Sequence, residues 1–449
     1  MVRYKPYERY KDSGVEWIGE IPEHWKIGRF KHSVEGCIGG VWGEEPGDDE
    51  NDIVCVRVAD FDRVKLTVNE ENLTFRSIPL SQRKRRELNE GDLLIEKSGG
   101  GDQQPVGTVV INTIKLPAVC SNFIGRMPVS NRYSPYFLSY LHSAAHSIRL
   151  NVKSIKQTTG IQNLDIASYL NEKVAFPPLK EQQAIANSLD HKTSEIDNLI
   201  ADKEKLITLL QEYRQSVISE AVTKGLNPDV KMKDSGIEWI GEIPEHWEVT
   251  PLFTTLLKRK TINKGLTESN VLSLSYGRII TRDVSTNTGL LPESFETYQI
   301  VEPNNLVLRL TDLQNDWTSL RCGLVTQKGI ITSAYLALTP LDAIMPEYAY
   351  YLLHAYDLLK VFYGMGGGVR QSLNFVDLKW MPLLLPPIEE QHSIIKHLNS
   401  KLQLINQTIQ SLADANVQLK TYRQSLISEV VTGKIDVREF EVKGVDTSA

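Results

Sequence analysis

The chain repeats one of its own segments almost letter for letter. Residues 11–25 read KDSGVEWIGEIPEHW and residues 233–247 read KDSGIEWIGEIPEHW, so that only Val15 and Ile237 differ. A repeat of this length within one chain is evidence for two copies of the same structural unit. The fold must therefore contain two similar halves, and we call these two segments the signatures.

Two further pairs of segments extend the repeat. FPPLKEQQAIANSLD at 176–190 is matched by LPPIEEQHSIIKHLN at 385–399, and EYRQSVISEAVTKGLN at 212–227 is matched by TYRQSLISEVVTGKID at 421–436. Both pairs have the same offset of 209 residues. Each half therefore consists of a signature, a long block and a final segment that opens on two prolines.

The blocks between the repeated segments have diverged. Residues 118–142 align loosely with 329–354, and the rest of the blocks hardly resemble each other. Each block contains several short apolar runs typical of strands, followed by a helix that starts near Pro135 in the first block and near Pro346 in the second. We predict two mixed α/β domains of different sequence on a shared framework.

Each half ends in a segment with the pattern of a long coiled-coil helix. No proline or glycine occurs from Lys180 to Lys224 or from Glu389 to Thr432, and apolar residues recur at spacings of three, four and seven. Proline fixes φ and lacks the N–H that a first helical turn does not use, so the Pro-Pro pairs predict the helix starts. Each helix of roughly 45 residues would be about 67 Å long.

The two helices are expected to pack on each other in opposite directions. Each would leave its apolar stripe in water if it stood alone. Two similar halves that associate stably tend to be related by a two-fold axis, which makes paired helices antiparallel. The predicted fold class is therefore α/β (α+β), with two mixed α/β domains joined by two long antiparallel coiled-coil helices and a pseudo-two-fold internal repeat.

Composition limits the possible function classes. The chain has 449 residues with 41% hydrophobic content, and it lacks the run of about 20 apolar residues that a membrane helix needs. We expect a globular, cytoplasmic protein without membrane association. The four cysteines lie far apart, which argues against a disulfide framework or a zinc site. The net charge of −6 does not favour nucleic-acid binding, but local basic clusters occur at 83–86 and 258–264, where a solvated surface is the alternative interpretation.

The search for catalytic motifs finds no complete one. The glycine-rich segments SGGGDQQPVG and GMGGGVRQS lack the lysine of a phosphate-binding loop. Asp92, Glu96 and Lys97 suggest a nuclease metal site, but adjacent residues of a strand project to opposite faces. His142 and His146 have metal-binding spacing on a predicted helix, yet no further ligand lies near them in sequence. We interpret both histidines as core or surface residues.

The repeated segments also allow enzymatic interpretations. The Pro-Pro pairs resemble the Asn/Asp-Pro-Pro-aromatic motif of amino-methyltransferases, but Phe176 and Leu385 stand where that motif needs a hydrogen-bonding side chain. Glu20 and His24 could form an acid–base cluster in the signature. Their apolar neighbours instead predict a subunit-docking segment. The residues predicted to dock are Trp17, Ile18, Ile21 and Trp25 in the first signature and Trp239, Ile240, Ile243 and Trp247 in the second.

Together these motifs carry a family resemblance over essentially the whole chain. The paired DSG(V/I)EWIGEIPEHW, (F/L)PP(L/I)xEQ and YRQS(V/L)ISE segments, with TTGIQNLD and GGVRQSLN, are similar to those of the specificity subunit of type I restriction-modification systems. The resemblance implies a non-catalytic chain that binds double-stranded DNA. Each recognition domain would read one half of a split target, and the helices would hold the domains apart and dock two modification subunits.

The same resemblance implies partners that carry the chemistry. Two modification subunits would hold S-adenosylmethionine and methylate adenine, and restriction subunits would use ATP and magnesium to translocate and cleave DNA. No cofactor or metal is then expected in this chain. The expected division is an N-terminal docking segment at 1–25, target-recognition domain 1 at 26–175, long helix 1 at 176–225, a linker with the second docking segment at 226–247, target-recognition domain 2 at 248–384, long helix 2 at 385–433 and a tail at 434–449.

By resemblance, the loop after the last helix of each domain is the best candidate for DNA contact. Glycines there let the backbone approach phosphate closely, and neighbouring polar and basic residues supply donors. The predicted contact residues are Lys153, Lys156, Gln157, Thr158, Thr159, Gly160 and Gln162 in the first half and Gly366, Gly367, Gly368, Arg370 and Gln371 in the second. Residues of types that pair with purine edges form a second set, namely Lys97, Gln103, Gln104, Arg278, Arg282, Arg309 and Arg321.

Two other functions stay open from the residues alone. A coiled-coil adaptor that bridges two proteins without touching DNA would need the same helices. A self-sufficient DNA methyltransferase or nuclease would need a methyl-donor or metal-binding motif, and the search above finds none.

Overall fold

The computed structural model of the chain describes most of its length. The described ranges are 5–158, 160–283, 294–317, 319–365 and 372–439. Within these ranges, no helix is both long enough and apolar enough to span a membrane.

The chain divides into two compact units. Unit 1 comprises Met1–Asp202 and Asp414–Ala449, and unit 2 comprises Lys203–Ala413. Each unit therefore contains one signature, one divergent block, the first part of one long helix and the last part of the other.

The secondary structure of the first half is mixed. Its strands are β1 (Tyr10–Asp12), β2 (Glu20–Pro22), β3 (Lys26–Arg29), β4 (Ile38–Gly39), β5 (Asp52–Val56), β6 (Phe61–Asp62), β7 (Thr67–Val68), β8 (Phe75–Ser77), β9 (Leu93–Glu96), β10 (Ser98–Gly99), β11 (Val109–Ile111), β12 (Ala118–Cys120), β13 (Ile124–Met127), β14 (Ile155–Thr158), β15 (Ile161–Leu164) and β16 (Lys173–Phe176). Its helices are α1 (Leu80–Arg83), α2 (Pro135–Ser147), α3 (Ile166–Leu170) and α4 (Leu179–Lys224).

The second half has fewer strands. They are β17 (Met232–Asp234), β18 (Glu242–Pro244), β19 (Glu248–Pro251), β20 (Leu256–Arg259), β21 (Leu272–Ser275), β22 (Arg278–Thr281), β23 (Gln299–Val301), β24 (Leu306–Leu308), β25 (Cys322–Leu324), β26 (Gly329–Ile331), β27 (Leu336–Pro340) and β28 (Pro382–Leu385). Its helices are α5 (Pro346–Leu358), α6 (Val361–Gly364), α7 (Phe375–Leu378) and α8 (Ile388–Val431).

The sheets of the two blocks differ in order. Unit 1 has a six-stranded sheet in the order β4-β13-β9-β11-β7-β6, and two three-stranded sheets, β12-β5-β8 and β10-β15-β14. Unit 2 has a four-stranded sheet in the order β20-β27-β24-β25, a hairpin β21-β22 and a separate antiparallel pair β23-β26. Two pairs in unit 1, β11 with β7 and β12 with β5, are parallel. The predicted mixed α/β content is confirmed, and the blocks differ in structure as they do in sequence.

The same pair of strands nevertheless closes each block. Strand β3 at the start of the first block pairs antiparallel with β16 at its end, and β19 pairs with β28 in the same way in the second. The start and end of each block are therefore fixed side by side, directly before a long helix. An insertion or rearrangement in the middle of a block can leave this closure unchanged, because the strands that form it lie at the two ends of the block.

Both long helices begin directly after their Pro-Pro pairs and are followed by a glycine in the left-handed region. Gly225 after α4 has φ of +74°, and Gly433 after α8 has φ of +78°. Glycine adopts this conformation without a Cβ penalty, which makes it the preferred residue just past a helix end. The predicted long helices are thus present, with bounds a few residues inside those expected.

The helix segments inside unit 1 run in opposite directions. Near the start of α4, Tyr7 donates to Glu181 and lies under the guanidinium of Arg438, which follows α8. Further along α4, Asp197 pairs at 2.8 Å with Arg423 inside α8. Unit 2 repeats the association, because its core joins the end of α4 to the first turns of α8.

Candidate nucleic-acid interface

A three-stranded sheet in unit 1 brings two of the predicted contact loops together. Strand β15 pairs with β14 on one side and with β10 on the other, with Gln162 opposite Gly99 and Asn163 opposite Ser98. The Ser98 hydroxyl donates to Asn163 Oδ1 at 2.6 Å. The glycine-rich loop that follows β10 therefore lies beside the 158–161 hairpin turn, although sixty residues of chain separate them. We call this joint surface the hairpin face.

Most of the predicted side chains on the hairpin face are exposed. Residues Gln103, Gln104, Lys153, Lys156 and Gln157 all point to solvent. Lys156 pairs with Asp165 at 2.7 Å and thereby lowers the pKa of that carboxyl. Thr158 is described by its backbone only, and Thr159 lies outside the described residues. The face is thus rich in amide and ammonium donors, which are the groups that contact phosphates and base edges.

Two glycines set the shape of this face. Gly160 has φ of +84° at the hairpin turn, and no atom lies within 4 Å of where its Cβ would be. Gly100 has φ of +58°, and a Cβ there would lie 2.7 Å from the backbone nitrogen of Val106. The glycine-rich loop can therefore fold back on itself only with glycine at position 100.

The interpretation of Gln162 as a DNA contact is wrong. The side chain is only 5% exposed, and its Oε1 accepts a hydrogen bond from the Val106 backbone N–H at 3.3 Å. An amide that is buried and bonded in this way fixes the glycine-rich loop to the hairpin. Its role is to position the face, because it cannot reach a ligand from this site.

Lys97 and its acidic neighbours point in different directions. Glu96 is buried beside Arg63 at 3.5 Å, and burial raises the pKa of its carboxyl. Lys97 is half-buried, and its Nζ lies 3.2 Å from where a Cβ of Gly39 would be. Asp92 pairs with Arg126 at 2.6 Å. The adjacent pair thus separates as expected, and no group of three potential metal ligands occurs within the described parts of the chain.

A cavity next to the hairpin face was missed by the sequence analysis. It has a volume of about 470 Å³, and its walls include Trp42 and Phe123, which are 39% and 46% exposed, together with Ser98 and Gly99. Arg76 lies 4.6 Å over the Trp42 ring and holds it in place. Exposed aromatic rings beside donors are surfaces on which bases stack. No sequence pattern marks these two residues, because they are far apart in the chain.

The second half presents a different set of residues. Gly366, Gly367, Gly368, Arg370 and Gln371 lie outside the described residues. Of the predicted base readers, Arg278 is exposed on β22, and Arg282 just after it is half-buried. Arg309 is half-buried and lies 3.7 Å from the carboxylate of Asp316.

The interpretation of Arg321 as a base reader is wrong. The residue is fully buried, and its guanidinium donates to the Tyr363 hydroxyl at 2.9 Å and to backbone carbonyls of the segment 309–316. An arginine whose donors are all used in the core cannot read a base edge. It instead fixes the loop that carries Trp317, which is 54% exposed and stacks on the Tyr363 ring at 4.5 Å. Trp317 is a third exposed aromatic residue that the sequence analysis missed, after Trp42 and Phe123.

The apolar residues of the signatures lie in the chain's own core. Trp25 and Trp247 are fully buried, and Trp25 Nε1–H donates to Glu181 at the start of α4 at 2.9 Å. The prediction that these side chains dock a partner therefore does not hold for six of the eight. The buried six are Ile18, Ile21, Trp25, Ile240, Ile243 and Trp247, whereas Trp17 and Trp239 are partly exposed.

Both histidines of the first block have structural contacts, His142 in the core and His146 at a half-buried position. His142 is buried, its Nδ1 lies 2.8 Å from the Tyr169 hydroxyl, and its ring stacks on Phe30. Burial lowers the pKa of His142 to about 3. His146 Nε2 contacts the Pro105 carbonyl at 3.0 Å. Both contacts explain the residues structurally.

Comparison with known proteins finds similarity to one family. Residues 66–209 match the model described as the type I restriction modification DNA specificity domain. The type I restriction enzyme StySPI specificity subunit of Salmonella potsdam is 21% identical over 93% of this chain and 90% of its own length. The type I restriction enzyme MjaVIII specificity subunit of Methanocaldococcus jannaschii is 25% identical over 64% of this chain and 68% of its own length.

Solved structures agree on the fold. A chain from a study of complex assembly and conformational transition of the type I restriction-modification system has a TM-score of 0.67 at 15% identity, covering 92% of this chain and 99% of that one. The HsdS subunit from Thermoanaerobacter tengcongensis has a TM-score of 0.53 at 14% identity, covering 92% and 98%. In its matched domain, in its relatives and in its fold, the chain is similar to the specificity subunits of type I restriction-modification systems.

Proposed function

We propose that this specificity subunit binds a DNA target in two separate parts, one read by each divergent block. The observation that carries the proposal is that one closing framework is built twice around blocks of different structure. A protein that reads two unlike sequences needs unlike reading surfaces on equivalent supports. An adaptor that binds two copies of one protein would have no reason to vary these blocks.

The hairpin face is the proposed reading surface of the first block. Its exposed glutamine amides can pair with adenine edges, and its lysines can contact guanine or phosphate. Trp42 and Phe123 add apolar surface for bases or thymine methyl groups. In the second block the proposed DNA-contacting residues are Arg278, an exposed donor on β22, and Trp317, an exposed ring on the loop fixed by Arg321.

The long helices are proposed to set the distance between the two half-sites. Helix α4 has 46 residues, which corresponds to about 69 Å of length. Because each unit holds the start of one helix and the end of the other, a change in helix length would change the separation of the blocks without altering either reading surface.

Docking of two modification subunits is proposed at the rims of the signatures instead of their buried tryptophans. The exposed acidic residues there occur in equivalent triplets, Glu16, Glu20 and Glu23 in the first signature and Glu238, Glu242 and Glu245 in the second. Two equivalent surfaces suit two copies of one partner. A partner with a basic surface would complement them.

Catalysis is proposed to belong to those partners. S-adenosylmethionine would be held by the modification subunits, and ATP and magnesium by the restriction subunits. The carboxylates and histidines that could have served chemistry here have structural contacts, such as Asp92 with Arg126 and His142 with Tyr169. This chain would contribute recognition alone.

An insertion into both helices tests the proposal. Four residues after Leu199 and four after Thr408 add about 6 Å of helix, close to two base-pair rises of about 3.4 Å. They also add about 40° of rotation beyond one turn, while DNA turns about 34 to 36° per base pair. We expect a spacer longer by one or two pairs with both half-sites unchanged, mapped as methylated adenines across the genome. Retained methylation with an unchanged spacer would refute the spacing role.

A further inference from the structure

A groove in unit 2 has the composition of an anion-binding site. It has a volume of about 500 Å³ and lies between one face of α4 and the β21–β22 hairpin. Its lining residues are Gln211, Arg214, Gln215, Ile218, Ser275, Tyr276, Arg278, Ile280, Leu320 and His354. Two of these carry a positive charge, and none of the described lining residues carries a carboxylate.

Two buried side-chain nitrogens of the groove residues have no hydrogen-bond partner among the described residues. His354 is 3% exposed, and its Nδ1 makes no hydrogen bond to any described residue. Arg214 Nε is buried and likewise without a bond in the described structure. The groove is therefore lined by residues whose polar side chains are not fully used by the protein itself.

The internal repeat provides a matched control for Arg214. Its equivalent in the other half is Arg423, at the same place in the YRQS segment, and Arg423 makes a two-point ion pair with Asp197 at 2.8 and 3.1 Å. The residue equivalent to Asp197 in the second half is Asn406, which has no charge. The same arginine is thus neutralised by the protein in unit 1, whereas its counterpart in unit 2 lines a groove.

We propose that this groove binds a phosphate group, and that the phosphate belongs to the DNA backbone beside the half-site read by the second block. The second part of this inference rests on the proposed function. Arginine guanidinium groups bind phosphate through paired N–H donors, which a carboxylate neighbour would prevent. The exposed Arg278 is then a phosphate contact and not a base reader.

The other groove residues fit this ligand. Burial, assisted by the nearby positive charge of Arg214, lowers the pKa of His354 to about 4, so the ring is neutral and one nitrogen carries a proton. A neutral ring adds no charge to the groove, so the positive charge there comes from Arg214 and Arg278. Gln211 and Gln215 lie one turn apart on the same face of α4 and offer amide donors.

Salt dependence of DNA binding tests the site. In the full-length chain we compare Arg214→Gln and Arg278→Gln with Lys205→Gln, which removes the same charge from an exposed position of α4 outside the groove. Affinities are measured by fluorescence anisotropy between 50 and 200 mM salt, on a duplex carrying the mapped target and on an unrelated duplex. Melting temperatures verify that each variant is folded.

Loss of one phosphate contact lowers the slope of log affinity against log salt by about 0.9. We expect this decrease in slope on both duplexes for Arg214→Gln and for Arg278→Gln, and no decrease for Lys205→Gln. Unchanged slopes in the groove variants would overturn the site. If Arg278→Gln instead weakens binding in a way that depends on the identity of one base pair of the target, Arg278 reads that base. This result would overturn its assignment as a phosphate contact.

Titration with inorganic phosphate, followed by ³¹P NMR, distinguishes a DNA contact from a free-anion site. If Arg214→Gln abolishes phosphate binding but leaves the DNA slope unchanged, the groove holds a small anion and the assignment to the DNA backbone is overturned. If the wild-type chain binds both duplexes equally at every salt concentration, the proposed function fails, while the slopes still report on the groove.

Discussion

Units 1 and 2 make the same contacts at the start of each long helix. In unit 1, Gln182 accepts from the Ser134 backbone N–H and donates to the Pro177 carbonyl. In unit 2, Gln391 accepts from Met345 N–H and donates to the Pro386 carbonyl. One glutamine in each unit thus joins the start of the long helix to the N-terminus of α2 or α5, the 13-residue helix of the block. The internal repeat thus preserves the hydrogen bonds that attach each variable block to its long helix.

The units differ in the charges next to that joint. Tyr140 donates to Asp190 in unit 1, whereas Tyr351 donates to the uncharged Asn399 in unit 2. Trp25 Nε1 bonds to Glu181, whereas the buried Trp247 Nε1 has no partner among the described residues. In unit 1, carboxylates therefore accept hydrogen bonds from Tyr140 and Trp25. The equivalent hydrogen bonds to carboxylates are not present among the described residues of unit 2. Duplicated segments of nearly equal sequence can have different energetics because their partners come from elsewhere in the chain.

The largest difference should appear on removing the glutamate at the helix start. Glu181 accepts hydrogen bonds from Tyr7, Trp25 and His24 at 2.7 to 2.9 Å. Glu181→Ala leaves two buried donors unpaired, so we expect a loss of about 2 to 4 kcal/mol in unfolding free energy, measured by calorimetry and denaturant titration.

The matched variant in unit 2 is Glu390→Ala. Glu390 contacts the partly exposed His246 at 2.7 Å, and solvent screening makes such a pair worth about 1 kcal/mol or less. Equal losses for the two variants would show that the frameworks are energetically equivalent despite their different contacts.

Acid should destabilise both units through one buried histidine in each. The folded pKa is lowered to about 3 for His142 and to about 4 for His354, below the unfolded value near 6.5. Their stability contribution is thus complete above about pH 6.5 and decreases as pH falls, because the unfolded state binds the proton first. At pH 5 each accounts for a loss of about 2 kcal/mol. Below pH 4 the loss from His142 grows more than that from His354, because its folded pKa is lower.

Stability measured against pH for His142→Gln and His354→Gln checks this prediction. Each variant should flatten the acid decline relative to wild type, and His392→Gln at an exposed position should not. An unchanged decline in both core variants would mean that other groups, such as paired carboxylates, dominate acid unfolding.

The sequence predicts elements better than it predicts partners. Apolar spacing and Pro-Pro pairs were enough for α4 and α8, because a long amphipathic helix is determined by local pattern. Exposure of Trp25 was misjudged since its partner Glu181 is 156 residues away. Arg321 was misjudged for a related reason, because its acceptors are backbone carbonyls, which leave no sequence signal.

A smaller difference should separate the two YRQS arginines. Arg423 bonds to Asp197 and to the Val64 carbonyl, so Arg423→Gln should cost about 1 to 2 kcal/mol. Arg214→Gln should change the unfolding free energy by less than about 0.5 kcal/mol, since it breaks no bond seen in the described structure. Calorimetry gives the unfolding free energy of both variants. A larger decrease for Arg214→Gln than for Arg423→Gln would contradict the prediction.

The smallest effect on stability comes from restoring the missing carboxylate. Asn406→Asp gives unit 2 the residue that unit 1 has as Asp197, so Arg214 gains an ion-pair partner. We expect about 0.5 to 1 kcal/mol of added stability, the usual worth of a partly exposed pair. The same change should weaken DNA binding and lower its salt slope, because the arginine would then be neutralised by the protein as Arg423 is. Asn399→Asp is the control, since it adds the same charge two turns away on α8, where it faces Tyr351. Equal losses of DNA affinity for the two variants would show that net charge alone is responsible, and a selective loss for Asn406→Asp would show that Arg214 must be unpaired to act.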